Sequence, residues 1–183
     1  IRVLICRMES NEAGYNGCVI SACDSDLLIY SSELTGNVAQ NGSGGAVDLY
    51  NCTGEFFNSR FEANVAVDGG AARLSRSSPL INWCTFFAND GQFFGGALFI
   101  VTESDPDIIH NSLVANNAHL GAGMMLADRS VPTVEVNIFA FNTMGAGIAA
   151  VSYRDHFVIS LAKTHEQTKR KQTDKEPWTY LTS

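Results

Sequence analysis

Short runs of alternating apolar and polar residues recur along the chain. In Val47-Asp48-Leu49-Tyr50 the apolar Val47 and Leu49 share one side. Ala72 and Leu74, Leu98 and Ile100, Met124 and Leu126, and Ile148 and Ala150 repeat that pair. A period of two is the signature of a strand with one face buried. The residues between the inward pairs form an outward column: Asp48, Arg73, Phe99, Met125 and Ala149. Further strand-like runs are INWCTFF, DIIHNSLV and VEVNIF, and glycine is too frequent for long helices.

Each alternating run follows a glycine marker. The markers are Gly44-Gly45-Ala46-Val47, Gly69-Gly70-Ala71-Ala72, Gly95-Gly96-Ala97-Leu98, Gly121-Ala122-Gly123-Met124 and Gly145-Ala146-Gly147-Ile148, at steps of 25, 26, 26 and 24 residues. Asn16-Gly17-Cys18-Val19 is a degenerate earlier copy. A second marker keeps phase with the first: Phe61-x-x-Asn64, Phe86-x-x-Asn89, Leu113-x-x-Asn116 and Phe139-x-x-Asn142, with Leu34-x-x-Asn37 as a weaker first copy. Two independent markers on one period indicate a repeat architecture. Unrelated glycine turns in a sandwich would not hold that period. Leucine-rich, ankyrin and tetratricopeptide repeats need leucine cores or helices that are absent here.

Stacking one repeat per rung puts equivalent residues about 4.8 Å apart. Phe61, Phe86, Leu113 and Phe139 then form an internal apolar stack. Asn64, Asn89, Asn116 and Asn142 form a ladder whose amides bond side to side and to a turn backbone. Asn is expected at the turn itself because it tolerates the left-handed conformation. Glycine is expected at the corner entering the next strand, where φ turns positive. The fold class is therefore all-β, a parallel β-helix solenoid of about five to six rungs with 24–28 residues per rung. One rung would run as a glycine corner, a strand, a loop at NCTGE (residues 51–55), a second strand and the Phe-x-x-Asn turn.

GGAV (44–47), GGAA (69–72) and GGAL (95–98), with FEAN (61–64), FFAN (86–89) and FAFN (139–142), resemble the repeats of polymorphic outer membrane proteins. Those are autotransporter-type surface proteins with a right-handed β-helix passenger, and the resemblance implies a right-handed parallel β-helix here. The chain also looks like the wider pectin lyase-like superfamily. The resemblance implies an extracellular or cell-surface (outer membrane) location and a role in adhesion or protein interaction. For the superfamily it implies, alternatively, a polysaccharide lyase or glycoside hydrolase. The later markers drift to GAGM and GAGI, and LVAN replaces Phe by Leu.

Composition narrows the partners. The net charge is −7, which argues against nucleic acid, and the resemblance implies surface proteins or polysaccharide as partners. No run is long and apolar enough to read as a transmembrane helix, and IRVLICRMES lacks the core of a signal peptide. The first residue is Ile1 rather than Met, so the chain reads as part of a longer one. Two segments are expected: a repeat domain over 1–151, and a last rung or cap with a basic polar tail, possible disorder included, over 152–183. All four lysines, Lys163, Lys169, Lys171 and Lys175, lie in the second, which contains no glycine. The five cysteines, Cys6, Cys18, Cys23, Cys52 and Cys84, show no zinc-ligand spacing and read as small buried hydrophobes.

Candidate chemistry is sparse. Asp48 and Arg73 share the outward column one rung apart, as a base and carboxylate site or as a plain cross-rung ion pair, and the ion pair is the simpler reading. Glu103, Asp105 and Asp107 crowd one loop with oxygen ligands that could take Ca²⁺, without the glycine and closing glutamate of an EF-hand. Asp24 and Asp26 have the same status. His110 and His119 have no companion nucleophile. No cofactor is expected apart from that Ca²⁺. Asn51-Cys52-Thr53 fits an N-glycosylation acceptor in a eukaryotic secretory setting.

Overall fold

A computed structural model describes residues 1–151, 159–160 and 178–181. The described residues are all-β, with strands stacked in parallel into a solenoid of about six turns. Each rung contributes four short strands, one to each of four walls. In one rung these are Val47–Tyr50, Thr53–Phe57, Arg60–Glu62 and Val65–Asp68, in the first to fourth wall respectively. The first wall stacks Ile20–Cys23, Val47–Tyr50, Ala72–Ser75, Leu98–Val101, Met124–Ala127 and Ile148–Val151 in order. Trp178–Leu181 then joins its edge antiparallel to Ile148–Val151. The second wall runs from Arg2–Leu4 to Ile159–Ser160.

The expected loop at NCTGE is not a loop. Asn51 and Cys52 alone make the corner, and Thr53, Gly54 and Glu55 already belong to the second wall. A two-residue corner suffices because the residue at its apex takes positive φ, here Asn51 at 52°.

Inward residues fill the core at every rung. Phe56, Phe61 and Phe86 are completely buried, and the Phe61 and Phe86 rings stack at 4.8 Å and 11°. Leu113 is fully buried above them, and Phe139 is partly buried against the core. The fourth wall offers only Ala39, Ala66, Gly91 and Ala118 inward, which leaves room for the phenylalanines opposite.

Three of the four corners are hydrogen-bond ladders. Between the third and fourth walls the Nδ2 of Asn64 donates to Asn89 Oδ1 at 3.0 Å and to the Leu34 carbonyl at 2.9 Å. The backbone N–H of Asn64 donates to the same Asn89 Oδ1. Asn89, Asn116 and Asn142 continue the pattern, and Asn11 and Asn37 extend it at the other end. Asn64, Asn89 and Asn116 are completely buried with every amide group satisfied, as a dry interior requires. The left-handed residue is the one before each asparagine, however: Ser10, Gly36, Ala63, Ala88, Ala115 and Phe141. The asparagine faces inward to bond, and its predecessor turns the chain.

The other two ladders use mixed side chains. Between the first and second walls, the N–H of Cys52 donates to Ser77 Oγ, that of Ser77 to Ser104 Oγ, and that of Ser104 to Ser130 Oγ. Between the second and third walls the column is Cys6, Ser32, Ser59, Cys84, Asn111 and Asn137. At the fourth corner Gly44, Gly69, Gly95 and Gly121 take positive φ of 68°, 63°, 62° and 63°. A Cβ on Gly69 would lie 2.5 Å from the Ala72 carbonyl oxygen, so the glycine is required there.

Candidate functional site

The outward column of the first wall is more covered than strand alternation suggests. Asp48 is 6% exposed and Met125 2%. The glycine corner folds back over the column. Gly17 lies tight against Asp48, and Phe94 stacks on Phe99 with ring centroids 5.8 Å apart.

Asp48 and Arg73 are brought together. Their strands pair in register, and the guanidinium grips the carboxylate through Nε at 2.7 Å and an Nη at 3.3 Å. Burial pushes the Asp48 carboxyl above its ordinary range, and Arg73 opposes that shift without cancelling it. Both carboxylate oxygens face the guanidinium, so Asp48 is not a free base.

Asp68 lies across the glycine corner from this pair and was not singled out from the sequence. It is half-buried, and its Oδ1 is buried without a hydrogen-bond partner. Burial raises its pKa, opposed by the Phe94 backbone, Ser43 and Arg73. The signal for it was its place immediately before a glycine marker. Ser43, Phe94 and Leu120 hold that place in other rungs, and a charge there departs from the column.

Glu103, Asp105 and Asp107 do not converge. Glu103 pairs with Arg129. Asp105 Oδ1 accepts the Val131 N–H at 2.7 Å, while its own N–H donates to Ser78 Oγ. Asp107 is exposed in the second wall, between Leu80 and Thr133 of adjacent rungs. Asp24 accepts from the Asn51 amide and Asp26 from the Thr53 hydroxyl, each one rung away. Among the described residues, no group of three His, Cys, Asp or Glu side chains could hold a metal ion.

The histidines sit in different surroundings. His119 lies 6.1 Å from the Phe93 ring at a tilt. His110 is exposed and stacks on Trp83, with centroids 4.7 Å apart and planes 10° apart. His110 and Trp83 both occupy the outer tip of the corner between the second and third walls, at φ of 56° and 55°. Ser31 and Asn58 hold this position in earlier rungs and Val136 in a later one. Trp83 is 58% exposed and Val136 48%, and Ile138 beside them is 56% exposed. A bulky side chain at positive φ is uncommon and costs energy, so this column departs from what folding alone favours. The spacing of 27 and 26 residues from Trp83 to His110 to Val136 was the signal for it, one position before the ladder residues.

Cys52 and Cys84 are buried, Cys6 and Cys18 half-buried, Cys23 is exposed, and all five are free thiols. Burial pushes the Cys84 thiol up to about 12. No helix among the described residues is long and apolar enough to cross a membrane. The expectation of a basic tail falls mostly outside the described residues.

Comparison with known proteins bears on family more than on activity. A stretch of 116 residues, 62% of the chain, is 34% identical to the metabotropic glutamate receptor-like protein R of Dictyostelium discoideum. That stretch spans 7% of the receptor-like protein's length. No solved structure matches the chain significantly. The model of the right-handed β-helix region matches residues 5–162, which covers every complete rung described above, and the chain belongs to that family.

Proposed function

We propose that this chain is a non-enzymatic segment of a cell-surface or secreted protein, acting in adhesion or protein interaction. One observation carries this reading: the exposed Trp83–His110 stack, flanked by Val136 and Ile138, on strained corner positions that pack nothing inside. Aromatic residues held rigid and outward are the side chains that anchor protein contacts. Of the carboxylates named as candidates, Asp48, Glu103 and Asp105 are meanwhile engaged in the rungs themselves. The receptor-like relative and the likeness to polymorphic outer membrane protein repeats point the same way.

The test is saturable binding of the labelled chain to eukaryotic cell surfaces. Replacing both Trp83 and His110 by Ala is expected to weaken it about tenfold or more. Unchanged binding would remove the column from the reading.

A second reading, a polysaccharide lyase or glycoside hydrolase of the pectin lyase-like fold, is favoured by Asp68 alone, a carboxyl with raised pKa beside an Asp–Arg pair. A screen for reducing ends and unsaturated products, with and without Ca²⁺, decides between them. Activity that Asp48→Ala or Asp68→Ala abolishes would replace the adhesion reading.

A further inference from the structure

We propose that Asn51 carries an N-linked glycan. The triplet Asn51-Cys52-Thr53 has the acceptor form, and the corner presents it well. Asn51 and Thr53 are both exposed, while Cys52 between them is 2% exposed and points into the core. Positions i and i+2 thus face outward together. The positive φ of Asn51 throws its side chain away from the stack, where it lies over Asp24 of the neighbouring rung.

The amide can take the sugar without losing that contact. Asn51 Nδ2 has two hydrogens and donates one to Asp24 Oδ1. A polyisoprenyl-diphosphate oligosaccharide supplies the glycan. The bond from sugar C1 to Nδ2 forms, the bond from C1 to the diphosphate oxygen breaks, and the diphosphate leaves with the electron pair. Nδ2 gives up one proton to the transferase's base and keeps the other for Asp24. Transfer occurs on the exported chain, so the inference rests on the extracellular reading.

Asn41-Gly42-Ser43 has the same form, so the two positions must be read separately. The chain is expressed behind a cleavable secretory leader in a eukaryotic host. Secreted protein is digested with peptide-N-glycosidase in heavy-oxygen water, and peptides are mapped by mass. Conversion of Asn51 to a labelled aspartate is expected in the wild type and in Thr53→Ser. It is expected to vanish in Thr53→Ala and Asn51→Gln, with any label at Asn41 unchanged. Secreted, folded protein with an unlabelled Asn51 overturns the glycan while leaving the extracellular reading standing. A labelled Asn51 on protein that stays inside the cell upholds the glycan and counts against secretion.

Discussion

The corner between the third and fourth walls and the corner between the second and third walls do the same job with different residues. Both must give each buried backbone N–H an acceptor in the next rung. The first uses asparagine in all six rungs, with small residues before it except at Phe141. The second mixes cysteine, serine and asparagine, with Trp83, His110 and Val136 outside. Folding needs one acceptor per rung and leaves its chemistry open. Where the outer position carries a bulky residue despite the backbone cost, something other than folding favours it.

The strongest way to break the contrast is Asn89→Ala. It strips the acceptor from both the N–H and the amide of Asn64, and the donor from the Phe61 carbonyl. The expected loss is about 4 kcal/mol, from three orphaned buried groups, read as a lower urea midpoint. Ser59→Ala in the mixed corner removes the acceptor for the Ser32 N–H and a hydroxyl donor to the Phe57 carbonyl, which still accepts the Ser31 N–H, and should cost about 1–2 kcal/mol. Equal losses would erase the distinction between the corners.

Asp68→Asn sharpens it from a third corner. A carboxyl whose pKa is raised by folding favours the native state while protonated and loses that contribution as pH rises through its folded value. The Asn variant should therefore be more stable at neutral pH, by about 1 kcal/mol. The gain should fade as pH drops below the ordinary carboxylate range. A gain that persists in acid would assign the effect to packing.

The smallest effects come from the mixed corner itself. Trp83→Asn restores the residue type of Asn58 and should be neutral or stabilising by about 0.5 kcal/mol in thermal melts, because Asn tolerates positive φ better than Trp. Cys84→Ser replaces a sulfur acceptor for the Ser59 N–H by a hydroxyl and should change stability by about 0.5 kcal/mol. Folded-state labelling should find Cys84 inert to alkylation at pH 8, with burial holding its thiol at about 12.

These contrasts explain what was legible in the sequence. The rung period, the phenylalanine stack and the asparagine ladder could be read because each position allows few residues: Phe61 has to fill the core and Asn64 has to give and accept at once. The serine and cysteine ladders were invisible because a lone Oγ or Sγ meets the need, and Ser77, Ser104 and Ser130 look like ordinary turn residues. The pairing of Asp48 with Arg73 followed from the outward column. The cover over it did not, because alternation says which side of a strand faces out and nothing about a corner folding back. Asp68 and Trp83 were missed for a related reason. They matter by departing from their columns, and a departure is seen only once the columns are drawn.

The ladder of Asn11, Asn37, Asn64, Asn89, Asn116 and Asn142 is also directional. From Asn11 to Asn116 each side-chain amide donates to the asparagine oxygen of the next rung in the chain. Its amide dipoles therefore add along the axis. An inserted or deleted stretch preserves this alignment only if it restores an asparagine at the same angle and in the same sense. The molecule's length is thus a copy number: it can change by whole turns, whereas a change of a few residues within the ladder or the inner strands throws every later position out of step.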